Sequence, residues 1–346
     1  MTSQSDKAPA PKPRIKSPLV SVITPTYNRA SLLPRAIASV LNQDFTDLEL
    51  IVVDDGSTDG TQEALAGIKD PRLSCIRFEH NRGIGAARHE AVIHARGEFI
   101  AFIDSDDVWL PGKLRFQVEV LQRHPTVDVL FGDYRNINHL EHLDKRGFEQ
   151  TAEGLARVQV RPLDPDVWKI TAGLPEALLV ANFIGTCSMV ALRRDIVERV
   201  GNFEPRLSGP EDLEFWWRAS LKGATFAYTT RCLIERHKDE GSITAKAAAY
   251  APRYLAALDY LENSAIVARR PELLRPINYA RHRVWCRLVR HHTLRGERGL
   301  AFRAFRQSLR YKCSPRALGY VFAGLLGLKA AEGARNLKGK IRARSS

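Results

Sequence analysis

The chain of 346 residues has no paired cysteines. Its five, Cys75, Cys187, Cys232, Cys286 and Cys313, are scattered, with no CxxC spacing. That pattern excludes a disulfide framework and a structural zinc knuckle, and it suits a reducing compartment. A long apolar run is also missing. The longest, Ala317 to Leu328, falls far short of the ~20 residues needed to cross a bilayer. Residues 1–18 carry Lys7, Lys12, Arg14 and Lys16 among Pro, Ala and Ser, so they read as a flexible basic tail and not as a signal peptide. The expected location is cytoplasmic, soluble or peripheral on the membrane surface. The glycine-rich turns of nucleotide folds are lacking too: Pro25-Thr-Tyr-Asn-Arg29 follows the first apolar run, there is no P-loop, and Gly83-Ile-Gly85 has Arg88 where a third glycine would complete GxGxxG. This weighs against a dinucleotide enzyme.

Acidic residues become scarce late in the chain. From residue 250 onward there are 21 Lys/Arg against 5 Asp/Glu, whereas residues 1–249 are nearly balanced at 31 against 34. A balanced domain is followed by a basic appendage. The appendage reads as helical, with arginines at 269, 270, 275, 281, 283, 287, 290 and 295 punctuating Val284, Trp285, Leu288 and Val289. Such a helix suits an anionic membrane surface through residues 269–346, or a solvated cap on the catalytic domain. The charge lies on no recognisable nucleic-acid module, so no nucleic-acid partner is expected.

The first part alternates strands with helices. Leu19–Thr24, Leu48–Val53, Leu73–Phe78, Phe99–Ile103 and Val127–Phe131 are short apolar runs, joined by Cys187–Leu192 later. Between them lie helical patterns: Leu33, Ala36, Ile37, Val40 and Leu41, with Ser31 as a candidate N-cap, then Gly83–Ala95 and later Glu211–Leu221. Strands separated by helix-length segments predict an α/β domain with a mainly parallel central sheet flanked by helices.

Two of these strands end in acids, Asp54-Asp55 and Asp104-Ser105-Asp106-Asp107. Open parallel sheets bind ligands outside the carboxyl ends of their strands. Like charges gathered there repel unless a cation or a donor-rich ligand offsets them, and hard oxygens suit Mg2+ or Mn2+. Asp and Ser are also ordinary turn formers, and Asp55, Ser57 and Thr58 are placed to cap a helix starting near Gly60.

Val20-Ser-Val-Ile-Thr-Pro-Thr-Tyr-Asn-Arg29, Val52-Val-Asp-Asp-Gly-Ser-Thr-Asp59, Asn81-Arg-Gly-Ile-Gly-Ala-Ala-Arg88 and Asp104-Ser-Asp-Asp107 resemble the successive motifs of family 2 glycosyltransferases, which have the GT-A fold. The resemblance is dense over residues 19–115 and thinner to about 240. It implies a catalytic domain over 19–245, with a donor half (19–125) and an acceptor half (126–245), followed by the basic helical extension (250–346). It further implies an inverting, metal-dependent transfer from a nucleotide-sugar donor, most simply a UDP-sugar, to a glycan or lipid-linked acceptor in surface polysaccharide synthesis. Pro25, Thr26 and Tyr27 would bind the nucleotide and Asp55 the base. Arg82 and Arg88 would place the donor. Asp104-Ser105-Asp106 is the DxD element, with Asp106 and Asp104 as metal ligands. His89 departs from the Asn common after that Arg. Gly209-Pro-Glu-Asp-Leu-Glu-Phe-Trp-Trp217 resembles the acceptor-site motif, with Asp212 as general base and Glu211 beside it. His237 resembles the late histidine over the diphosphate, a metal-ligand candidate. Trp216 and Trp217 suit either stacking on an acceptor sugar or the core. The rival readings are a nucleotidyltransferase, which would release pyrophosphate, and a non-enzymatic protein binding anionic surfaces.

Overall fold

The structure is a computed structural model that describes residues 17–137, 145–237 and 247–311. The strands are β1 (Val20–Thr26), β2 (Leu48–Asp54), β3 (Leu73–Arg77), β4 (Phe99–Phe102), β5 (Asp107–Trp109), β6 (Val129–Ile137), β7 (Lys145–Arg146), β8 (Gln159–Asp164), β9 (Val167–Ala172), β10 (Val190–Arg193) and β11 (Phe226–His237). The helices are α1 (Leu33–Leu41), α2 (Thr61–Ala66), α3 (Ile84–His94), α4 (Lys113–Arg123), α5 (Gly147–Leu155), α6 (Leu174–Val180), α7 (Asp195–Val200), α8 (Glu211–Leu221), α9 (Ala247–Glu262), α10 (Ala265–Arg269), α11 (Leu274–Leu294) and α12 (Arg298–Leu309).

One sheet of 11 strands organises the chain, in the order β3-β2-β1-β4-β10-β6-β11-β9-β8, with β5 on β11 and β7 on β6. The donor half is parallel: β2 lies beside β1 and β3, and β1 beside β4. Strand β10 is inserted antiparallel between β4 and β6, which restores β6 and its parallel partner β11 to the direction of β1. The carboxyl ends of β1, β2, β4, β6 and β11 therefore open on one rim. Strands β1 and β2 are buried at every position, as helix-covered parallel strands must be, whereas edge strand β3 is half exposed.

The sequence placed most elements and misplaced some details. Cys187–Leu192 begins as a 3-10 turn, Cys187–Met189, and only then becomes β10. Ser31 does not cap α1, whose N-cap is Leu32 with no side-chain bond. The alternative role for the Asp55 run is not seen either, since α2 starts after Gly60 without a side-chain cap. Instead the loops after β1 and β2 are stitched together. Asn28, in the left-handed region at φ 52°, donates its N–H to Ser57 Oγ at 2.9 Å and accepts from the Thr58 N–H at 2.8 Å.

Trp216 and Trp217 are fully buried, which removes them from any acceptor surface. Trp216 joins Phe102, Phe203 and Phe215 in edge-on and stacked contacts with centroids 4.4–6.4 Å apart; such pairs add ~0.5–1.5 kcal/mol each beyond burial. Trp217 faces the other way, into a second cluster with Leu179, Leu258, Leu261, Leu273 and Ile277. This cluster ties α6 and α8 to α9 and α11, so the described part of the basic extension shares a core with the catalytic domain. The apolar face of α11 is used up in the same way: Val284, Leu288 and Val289 pack with Ala251, Ala304 and Phe305. The membrane-facing stripe expected on that helix is therefore covered, and its buried Arg281 pairs with Asp259 and Glu262. Residues 312–346, part of the same expectation, lie outside the described residues.

Candidate active site at the sheet rim

A cavity of about 910 Å³ opens at the carboxyl rim. Pro25, Thr26, Tyr27, Asp55, Arg88, Asp104, Ser105, Asp106, Glu211, Asp212 and His237 all line it. Residues more than two hundred positions apart thus share one cleft because β1, β2, β4 and β11 end on the same rim of the sheet. Arg82 is the exception. Its guanidinium lies over the Phe78 ring at 4.3 Å, outside the lining.

Asp55 follows β2 and is 3% exposed. Its two carboxylate oxygens accept from the backbone N–H groups of Arg82 (2.6 Å) and Gly83 (2.9 Å), donors left over at the start of α3. The carboxylate thus fixes the entry to α3, and lone pairs remain for a ligand. Burial raises its pKa, although the two amides oppose the shift. Two glycines permit this entry. Gly83 sits at φ +93°, and a Cβ on Gly85 would stand 2.2 Å from the Leu207 carbonyl oxygen. His89 completes the joint, with Nδ1 at 2.8 Å from the Phe203 carbonyl oxygen and its own carbonyl accepting from Asn202.

Arg88, one turn into α3, is 2% exposed and bridges two acids. It donates to Asp104 Oδ1 at 2.5 Å and, through the other amino group, to Glu211 Oε1. Burial works against its charge, but Cys187, Asp104 and Asp212 outweigh that and raise its pKa. Asp104 receives a second bond, 2.7 Å from Thr186 Oγ1 to Oδ2. Both Asp104 oxygens are therefore engaged, and Glu211 is an ion-pair partner more than a free base.

Asp106 is held differently. Arg29 stands 4.0 Å from Oδ2, and Arg35 reaches only the Asp106 carbonyl, at 3.3 Å. Burial and then the Asp104 charge push its pKa up to about 6, against the pull of Arg29 and Arg236. Asp107 is buried, accepts from Ser188 Oγ at 2.6 Å, and is likewise raised by burial and by Asp106 and Asp104. These crowded, incompletely compensated carboxylates are what a divalent cation relieves, and the hard oxygen donor at Asp106 fits one. The three predicted ligands do not by themselves form a closed set: among the described residues, Asp104, Asp106 and His237 do not bring ligand atoms within 4.8 Å of one another.

Asp212, at the start of α8, accepts at Oδ1 from the Leu213 N–H at 2.7 Å. Burial raises its pKa, while Arg88 lowers it. Sequence reasoning assigned no site role to Arg29, Thr186, Arg236, Tyr250, Arg253 and Tyr254 and placed Arg283 and Arg287 on an amphipathic helix, yet all of them line the cleft. The spacing of Tyr250, Arg253 and Tyr254, and of Arg283 and Arg287, puts each set on one helix face, a signal that points to a shared surface but not to which surface.

The Glycosyl transferase family 2 model matches residues 21–201. The chain belongs to that family. Among its relatives, the putative teichuronic acid biosynthesis glycosyltransferase TuaG of Bacillus subtilis is 32% identical over 234 residues, 66% of this chain and 82% of TuaG. The UDP-Glc:alpha-D-GlcNAc-diphosphoundecaprenol beta-1,3-glucosyltransferase WfgD of Escherichia coli is 37% identical over 121 residues, 35% of this chain; the chain spans about half the length of WfgD, 47%. Two solved structures share the fold at low identity. S. aureus TarS in complex with UDP-GlcNAc superposes with a TM-score of 0.56 at 19% identity, covering 88% of this chain and 90% of that one. The mannosyltransferase PcManGT of Pyrobaculum calidifontis, with GDP-Man and Mn2+, gives 0.54 at 20% identity, covering 94% and 84%. The family 2 chain thus has the GT-A fold, with its motifs on the strand ends that line the cleft.

Proposed function

We propose that this family 2 protein is an inverting, metal-dependent glycosyltransferase that moves a sugar from a nucleoside diphosphate to a hydroxyl of a surface-glycan or lipid-linked precursor. The observation that carries the reading is the convergence of Asp55, Asp106 and Asp212 on one cleft. Pro25, Thr26 and Tyr27 form the nucleotide wall with Asp55 against the base, and UDP is the donor nucleotide favoured by the relatives acting on UDP-Glc and binding UDP-GlcNAc. Asp106 would be the principal protein ligand for Mg2+ or Mn2+, with His237, which lines the same cleft, as a second. When bound, such a cation offsets the charge that develops on the departing diphosphate.

The chain's own groups do the rest. Arg88 pins Asp104 and Glu211, so the acidic loop cannot swing towards an anionic donor. Arg29 and Arg236 add fixed positive charge beside the same loop. Asp212 takes the proton from the attacking hydroxyl, a role helped by a pKa raised above the ordinary aspartate value and typically worth ~10²–10⁴ in rate. One base and one displacement invert the anomeric centre.

Membrane contact, in this reading at the cytoplasmic face, moves from α11 to the outer side of α12. There Phe302 and Leu309, about two turns apart on one face, are exposed beside Arg298 and Arg306. Among the described residues no helix is long and apolar enough to cross a membrane. Salt-sensitive co-sedimentation with anionic vesicles, lost in Phe302→Ser, tests the surface; binding that ignores salt and Phe302 would end the idea. The central test is release of nucleoside diphosphate from a panel of nucleotide sugars with Mn2+. Asp212→Asn should keep nucleotide affinity and lose ~10²-fold or more in transfer. A wild-type rate in that variant would remove Asp212 as the base.

A further inference from the structure

The two walls of the cleft differ in the acids they carry. The acids of the lining, Asp55, Asp104, Asp106, Glu211 and Asp212, all belong to the sheet rim and the start of α8. The wall built by α9 and α11 contributes Arg253, Arg283 and Arg287 with Tyr250 and Tyr254, and no acid. Arg283 and Arg287 are one turn apart on α11, so both point at the same space. Arg283 shares its charge with Glu153 Oε2 at 3.0 Å, outside the lining. Arg253 meets only the Ser208 carbonyl, at 3.2 Å. Arg287 has no acidic partner among the described residues. Three guanidinium groups with so little compensation repel one another, and they persist at a cleft wall most readily where an anion shares them.

The rings of Tyr250 and Tyr254 are 6.1 Å apart, and burial, with the Asp212 charge adding to it, raises the pKa of both. Tyr250 stands next to the start of α8, since a Cβ on Gly209 would lie 3.1 Å from its ring and 3.8 Å from Glu211 Oε2. The tyrosine pair therefore borders the turn that carries Asp212, and Arg253 lies on the same face of α9.

We propose that Arg253, Arg283 and Arg287 form an acceptor subsite that binds a phosphate or diphosphate group attached to the acceptor sugar, while Tyr250 and Tyr254 flank the sugar next to Asp212. The inference rests on the glycosyl-transfer reading and adds the charge class of the acceptor to it. Guanidinium forks pair bidentately with phosphate oxygens, which fixes both register and orientation of the attacking hydroxyl. Uncharged glycosides lose that anchor.

The test separates the two readings. UDP, GDP and dTDP are first titrated into the full chain with Mn2+. With the donor pocket saturated, geranyl diphosphate, glucose 1-phosphate and geraniol are titrated in turn by calorimetry. Saturable binding of a phosphorylated probe, weakened about tenfold or more in Arg287→Gln and further in Arg283→Gln/Arg287→Gln, is the expected result. Geraniol should not bind. Preference for geranyl diphosphate assigns a lipid-diphosphate acceptor, and preference for glucose 1-phosphate a phosphorylated glycan. Arg287→Gln has no ion pair to break, so a fold defect in the double variant leaves it decisive. If nucleotide binds and no probe does, or if binding is unchanged in Arg287→Gln, the subsite is wrong. If the variants weaken nucleotide instead, the arginines belong to the donor. Absence of any nucleotide binding overturns the glycosyl-transfer reading itself, and the acceptor assignment with it.

Discussion

Replacing Arg88 by Met isolates the clamp on which the acidic loop depends. The guanidinium is 2% exposed and Glu211 3%. Met preserves much of the volume, so packing changes little, but Glu211 is left charged and buried without its donor, and Asp104 loses one of two bonds. Breaking a buried pair from one side typically costs ~3–5 kcal/mol, most of it the stranded charge. Arg88→Met should therefore lose about that much in urea unfolding, a large part of a marginal total. Removing the second charge as well, in Arg88→Met/Glu211→Gln, should restore roughly 2 kcal/mol or more, because a neutral amide is far cheaper to bury. Arg88→Lys should fall between, since an ammonium cannot span both acids in the same fork geometry. Nucleotide release should fall in step with the freeing of Asp104. Stability of Arg88→Met within 1 kcal/mol of wild type, or strict additivity in the cycle, would refute the clamp.

Asp106→Asn should abolish the Mn2+ dependence of UDP binding measured by calorimetry; an unchanged metal requirement would transfer that role elsewhere. Gly85→Ala forces a methyl against the Leu207 and Glu204 carbonyls, 2.2 and 2.7 Å away. Backbone atoms cannot yield as a side chain would, so a loss of roughly 1–3 kcal/mol is expected in melting experiments. Glu204, bonded by Arg206 and by Tyr260 of α9, has its pKa lowered from 4.5 to about 2. A depressed carboxylate stabilises the fold above its ordinary pKa, and that contribution fades as pH falls towards 2. Glu204→Gln should therefore lower the melting temperature at pH 7, with the gap closing below pH 4.5; a gap that widened in acid would reverse the sign.

The donor half was legible because local signals and global burial agree there. The runs Val20–Thr26 and Leu48–Asp54 are rich in β-branched and apolar residues and are buried at every position, as strands covered on both faces are. The acids Asp54-Asp55 and Asp104–Asp107, at the ends of the second and fourth strands, mark the carboxyl rim. Asp55 and Asp106 were readable for the same reason, whereas Asp212, in the first turn of α8, was reached only through the resemblance of Gly209–Trp217 to an acceptor-site motif. Partners were not readable. Sequence spacing cannot show that Arg88 turns inward to Glu211, 123 positions away, or that Arg82 turns out over Phe78. The tryptophans illustrate a second limit: adjacent positions on a helix face apart, so Trp216 and Trp217 fill two different cores. For the basic extension a membrane face and a packed cap both stayed open, because amphipathicity reports that a helix has an apolar face, not what covers it.

That covering changes what the appendage is for. Had α9 and α11 been a detached membrane anchor, the cleft would lose the wall they build, and the arginines at 253, 283 and 287 would face solvent. Packing Trp217, Leu258 and Ile277 into one cluster instead fixes the two helices against α8, whose first turn carries Asp212. Any shift of α11 then moves the arginine wall and the base as a single body. The wall that carries Arg253, Arg283 and Arg287 is consequently packed against the helix that carries Asp212, an arrangement that suits a substrate bearing negative charge at one point and a hydroxyl at another.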